Sequence, residues 1–324
     1  MVTSFVLGVF SIIARADCLN LPVGVPERIG RVQLFLNQIA DKSVLAGKYD
    51  LIWVDYFYKP GWAKVSGIYS TKYMMADRDP NPFARIANPS GGDGFSSTRD
   101  FHWYRQNHPD WVMYKCPGEP EPPMCRRPAS GPGPNNPAYS CFYSNSVDYV
   151  PLDITNPAVR EFLFQANLGE PPYSPPFRAY TGKDAKPVLY PSPMSSGLYD
   201  AVGVDNLASE NSFGECGIYR GNKFVRSYSG AKTDPAFLHA RIDWLNWLRH
   251  KVNAEGLCLI GNDYFTTGHS REFLEIASAL DIVMDEHGFT RDSGPLETGA
   301  QWLTRIETLR HLTESGKSLI VVDY

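Results

Sequence analysis

Acidic and amide residues close most of the apolar runs in this sequence. Asp55-Tyr56 follows LIWV, Asp205-Asn206 follows AVGV, Asn262-Asp263 follows CLIG, Asp285-Glu286-His287 follows DIVM, and Asp323-Tyr324 follows SLIVV. If the runs are parallel strands, these residues meet at one rim. Carboxylates gathered there repel one another, so at least one should keep its proton at neutral pH. A protonated acid beside an ionised carboxylate is what cleavage of a glycosidic bond requires. One group protonates the leaving oxygen, and the other attacks the anomeric carbon or activates water. A single carboxylate at a strand end is more often a helix N-cap or part of a loop salt bridge. Five acidic ends on successive strands weigh against that reading for the set.

The elements that must position these residues are clearest in the second half. Tyr199–Asn206, Leu257–Asp263, Asp281–Glu286 and Ser318–Tyr324 are short β-branched runs. Between them lie helical patterns. Asp234-Pro235 supplies an N-cap and a proline at the first helical position, and Leu238, Ile242, Leu245, Leu248 and Val252 recur at helical spacing. Ser270 opens a helix with Phe273, Ile276 and Leu280; Trp302, Ile306, Leu309 and Leu312 mark another, closed by Gly316. Near-continuous apolar strands alternating with helices suit a parallel sheet covered on both faces. Short turns before the strands and longer polar segments after them place functional loops at the carboxyl ends, as in an α/β barrel.

In the first half, Arg31–Asn37, Asp50–Phe57 and Asp110–Lys115 read as strands one to three, carrying long loops over 58–108 and 116–146. Tyr149–Thr155 is either an eighth strand or a loop arm. It precedes a helix opened by Asn156-Pro157, with Val159, Phe162 and Leu163 on one face. The expected fold is therefore a (β/α)8-type TIM barrel lacking its last strand, because the sequence stops at Tyr324 straight after an apolar run. Residues 1–16 resemble a leader, with an apolar stretch over 5–14 and Ala14-Arg15-Ala16 as a cleavage-like site, although the positive n-region is missing. Residues 17–324 then form one domain.

Composition narrows the function. A net charge of −4 argues against a nucleic-acid partner. No apolar run reaches the roughly 18 residues of a membrane span. The six cysteines include no C-x-x-C pair. Cys116, Cys125, Cys141 and Cys216 sit in Pro- and Gly-rich stretches suited to disulfides, which points to a secreted or cell-envelope protein. Cys258 reads as a small buried hydrophobe. The histidines show no metal-binding spacing, so no metal and no cofactor is expected. Gly91-Gly92-Asp93-Gly94 lacks the Lys-Ser/Thr of a phosphate loop. Trp62, Trp103 and Tyr104 could stack on sugar faces or pack a loop, and Asp77-Arg78-Asp79 reads as a solvated turn.

The order YDAVGVDN, GLCLIGND, LDIVMDEHGF, GKSLIVVDY, preceded by LDITNPAVREF, resembles the endo-α-1,4-polygalactosaminidases and related hypothetical glycosyl hydrolase families. The likeness covers about residues 149–324, and 31–115 more loosely. It implies a barrel hydrolase with Asp205 and Glu286 as the catalytic pair and with Asn206, Asn262 and Tyr324 as supporting groups; within that pair we read Asp205 as acid/base and Glu286 as nucleophile. Asp55, Tyr56, Asp263, His287 and Asp323 complete the expected substrate rim. Three positions depart from the family pattern: Gly261 stands where the family has Lys, Asp323 where it has Glu, and the strand-four glycine falls at 203 rather than 202. The expected partner is a polysaccharide substrate. The other readings are a barrel that binds carbohydrate without cleaving it, and a barrel lyase or aldolase, for which Lys115 is the Schiff-base candidate. The oligomeric state is not legible.

Overall fold

The computed structural model describes residues 19, 32–34, 50–54, 68–77, 86–87, 95–96, 104, 107–118, 151–168, 177–178, 187–188, 197–262, 271–286 and 298–322. The leader-like residues 1–16, the Gly91–Gly94 turn, Trp62, Trp103 and Ser270 lie outside them.

Along the chain run β1 (Val32–Leu34), β2 (Leu51–Val54), β3 (Tyr69–Met75), β4 (Ile86–Ala87), β5 (Phe95–Ser96), β6 (Tyr114–Lys115), α1 (Pro157–Leu168), β7 (Phe177–Arg178) and β8 (Pro187–Val188). Then follow β9 (Ala201–Asp205), β10 (Glu215–Arg220), β11 (Lys223–Arg226), α2 (Pro235–Ala254), β12 (Cys258–Asn262), α3 (Arg271–Ser278), β13 (Ile282–Glu286), α4 (Ala300–Glu314) and β14 (Ser318–Val322). Seven strands form one sheet in the order β1-β2-β3-β9-β12-β13-β14. Every pairing in it is parallel.

This corrects the expected (β/α)8-type TIM barrel lacking its last strand. Among the described residues the sheet has β1 and β14 as its edges and no pairing between them. One expected strand does not join it, and neither does the segment that reads as an eighth strand or a loop arm. Tyr114–Lys115 pairs antiparallel with β10 in a separate sheet of order β11-β10-β6. The segment around Leu152 makes one isolated antiparallel bridge to Val112. The third strand of the parallel sheet is instead β3, inside what reads from sequence as a loop. Its polar residues hide it. Ser70, Thr71 and Lys72 are buried, and Ser70 is satisfied by Asp200, whose carboxylate accepts its backbone N–H at 2.9 Å, and by the Leu198 carbonyl, which accepts its hydroxyl at 2.7 Å. A strand whose polar groups find internal partners need not be apolar.

One sheet face carries Met74, Ala76, Val202, Val204, Leu259 and Val283, which join the main core with helix residues Val159, Leu163, Leu245, Leu248, Ile276 and Leu312. The helices behave as their sequences dictate, with one exception. Asp234 caps α2, its Oδ1 accepting from the N–H groups of Ala236 and Phe237. Asn156 likewise accepts from Ala158 N–H at the start of α1. Gly256, at φ +76°, follows the end of α2. The exception is α4, which buries Arg305, Thr308 and Leu312 while Trp302 and Ile306 stay exposed. The expected stripe is turned because Arg305 pairs with the buried Asp285 at 2.7 Å.

A disulfide joins Cys116 to Cys216, tying the end of β6 to β10. Cys258 is buried, as a small hydrophobe would be, but it too is disulfide-bonded. Cys18, Cys125 and Cys141 lie outside the described residues. No helix among the described residues is long and apolar enough to cross a membrane.

Candidate functional site

The carboxyl ends of β9, β12 and β13 are adjacent. Gly261 is the register partner of Val204, so Asn262 stands level with Asp205, and Asn262 is the partner of Met284. Side chains alternate along a strand, so positions 205, 262 and 284 share one sheet face. Glu286 closes β13 two residues after Met284. Positions 73 and 75 of β3 share the face of position 205 too, since Met75 pairs with Asp205.

Asp205 is the hub. Its Oδ1 accepts the Asn206 backbone N–H at 2.8 Å and Asn262 Nδ2–H at 2.7 Å. Its Oδ2 accepts the Tyr73 hydroxyl at 2.5 Å and Asn206 Nδ2–H at 3.1 Å. An ionised carboxylate only accepts hydrogen bonds, so four donors suit that form. The backbone is equally constrained. Ala76 N–H donates to the Asp205 carbonyl and Leu207 N–H to the Asn262 carbonyl, each at 3.0 Å. Between these rungs Asn206 takes φ +58°. Left-handed backbone at a residue other than glycine is uncommon and tends to cluster at functional sites, where surrounding contacts hold it.

Beneath the carboxylate the packing leaves no slack. A Cβ at Gly203 would lie 2.5 Å from Trp53 Cη2 and 2.6 Å from Thr71 Cγ2. Trp53 meets Tyr73 edge-on at 6.3 Å. On the opposite face, a Cβ at Gly261 would lie 2.4 Å from Leu280 Cδ1 and 2.6 Å from Leu207 Cδ1. Two leucines thus fill the space that a side chain at 261 would need.

Of the ten expected rim residues, Asp205, Asn206 and Asn262 are brought into one hydrogen-bonded group. Glu286 ends β13, its backbone in register with Val322. Asp55, Tyr56, Asp263, His287, Asp323 and Tyr324 lie outside the described residues. Tyr104 is no sugar platform: it is buried in the core, 6.3 Å from the Phe162 ring. Asp77 is no solvated turn either, because it is buried and paired with Arg241 at 2.9 Å. Arg78 and Asp79 lie outside the described residues.

Tyr73 is the contributor that sequence reasoning missed. The signal was present, since Tyr, Thr and Tyr recur at alternate positions of YSTKYMM, a spacing typical of strands. Lys115 lies on β6, outside the parallel sheet, and is buried. Lys72 belongs to the sheet, but adjacent residues of a strand face opposite ways, so it does not share the face of Tyr73 and Asp205. Among the described residues no group of three His, Cys, Asp or Glu is placed to hold a metal ion. A scan against protein-family models finds no match to this chain, and searches of curated proteins and of solved structures find none either.

Proposed function

We propose that the chain is a glycoside hydrolase acting on a polysaccharide, with Asp205 as its working carboxylate and Glu286 as its proton donor. The observation that carries this is that the described residues bring four donors to Asp205. It favours the opposite division of labour from the one expected from the sequence. A group surrounded by donors has no use for a proton of its own, so Asp205 suits the attacking or water-activating role. Glu286 then protonates the departing glycosidic oxygen. The anomeric carbon–oxygen bond breaks, water supplies the new hydroxyl, and its second proton restores the acid. Sheet order supports the pairing, because Asp205 and Glu286 close the parallel strands β9 and β13, which flank β12. Export from the cytoplasm belongs to the same proposal and is supported by the disulfides at Cys116, Cys216 and Cys258.

The test is reducing-end release from a panel of neutral, acidic and amino-sugar polysaccharides. The parent protein is expected to cleave at least one, and the Asp205→Asn variant to cleave none while keeping the parent's circular dichroism spectrum. No release from any member by the folded parent would contradict the proposal. Glycan binding without release, unchanged in Asp205→Asn, would support the carbohydrate-binding alternative instead.

A further inference from the structure

We infer that the buried ion pair between Asp77 and Arg241 is a positioning device for Asp205, an inference that rests on Asp205 being the working carboxylate. The two residues are 164 positions apart. Their charged groups meet at 2.9 Å, with side chains 3% and 4% exposed. Asp77 lies two residues beyond Met75, the register partner of Asp205. Its backbone is left-handed, at φ +47°. Asp77 and Asn206 are the two described residues other than glycine with such a backbone, and they end adjacent strands. A disfavoured conformation persists only where its surroundings hold it. For Asp77 the hold comes from Arg241 on α2 and from Leu152 N–H, which donates to the Asp77 carbonyl at 3.1 Å. Arg241 is itself fixed over the Phe237 ring, 4.6 Å from its centroid.

The residue between Met75 and Asp77 transmits the effect. Ala76 N–H donates to the Asp205 carbonyl at 3.0 Å, the last rung between β3 and β9. Anchoring the chain at Asp77 keeps the end of β3 from fraying, and so holds that N–H against the backbone from which the Asp205 carboxylate hangs. Arg241 is therefore a positioning residue: it reaches Asp205 through Asp77 and Ala76.

The test combines Arg241→Met with Asp77→Asn, which removes both buried charges together. Amide hydrogen exchange is read at Ala76 and at Leu259, whose N–H donates to Asp281 at the amino end of the sheet. Exchange at Ala76 is expected to rise by roughly tenfold or more with Leu259 unchanged. The kcat for polysaccharide should fall by about tenfold or more while KM holds. Equal acceleration at both amides, no acceleration at Ala76, or an unchanged kcat would each overturn the inference. If the parent cleaves no polysaccharide, the hydrolase reading fails by itself and the exchange comparison alone decides whether the pair clamps the rung. If the double variant does not fold, Asp77→Asn alone gives the same comparison, since it keeps the side-chain shape and an oxygen for Arg241.

Discussion

At the scale of single residues, the site depends on one tyrosine and one glycine beneath a carboxylate. The Tyr73 hydroxyl on Asp205 is a hydrogen bond to a charged group, worth about 1.5–3 kcal/mol. Tyr73→Phe is expected to lower kcat by about 10- to 100-fold, with circular dichroism unchanged. Gly203→Ala should destabilise the fold by about 1–3 kcal/mol in denaturant titrations, because the new methyl would overlap the Trp53 ring. A stable, fully active Gly203→Ala protein would show that Trp53 yields more easily than the packing suggests. Asp205, Asn206 and Asn262 were legible in the sequence because each ends an apolar run. Tyr73 was not, because its strand hides polar residues that find partners far along the chain, Ser70 with Asp200 above all. Cys258 illustrates a different limit: burial can be inferred from an apolar run, but disulfide bonding cannot.

At the scale of elements, caps were legible and buried faces were not. The Asp234-Pro235 signature fixes the start of α2 in sequence and structure alike. Burial pushes the Asp234 carboxyl up, but hydrogen bonds from Ser229 and from the N–H groups of Ser229, Phe237 and Ala236 outweigh it and hold it below its ordinary value. A carboxyl lowered by folding stabilises the native state above its unfolded pKa of about 3.9 and loses that contribution as pH falls through its lower folded value. Asp234→Ala should therefore cost about 1 kcal/mol at pH 7, a typical N-cap loss. The gap between variant and parent should close as pH drops below about 4. A gap constant down to pH 2 would contradict this account. The face of α4 was misjudged because apolar periodicity gives no weight to a buried cation. Arg305→Leu removes the partner of the buried Asp285 and should destabilise the protein by about 3–5 kcal/mol, whereas Trp302→Ala on the exposed face should cost far less.

For the whole molecule, alternation of strand and helix in the second half correctly foretold a parallel sheet, whereas the first-half strand assignment and the barrel did not hold. Strand order depends on long-range partners: β3 pairs with β9 across a gap of more than 120 residues, and no local pattern announces that. The antiparallel sheet of β6, β10 and β11 was missed although Gly221-Asn222 between β10 and β11 is a two-residue hairpin signal. The disulfide closing 100 residues between Cys116 and Cys216 should contribute about 4–5 kcal/mol by restricting the unfolded chain. Cys116→Ser/Cys216→Ser is expected to lower the denaturation midpoint accordingly. Leaving-group dependence separates the role of Asp205 from that of Glu286. An activated aryl glycoside departs without a proton, whereas a sugar hydroxyl gains about 10²–10⁴-fold from a general acid. Glu286→Gln should lose polysaccharide cleavage but retain aryl glycoside turnover, and Asp205→Asn should lose both. Full aryl glycoside turnover in Asp205→Asn, or its loss in Glu286→Gln alone, would contradict the assignment.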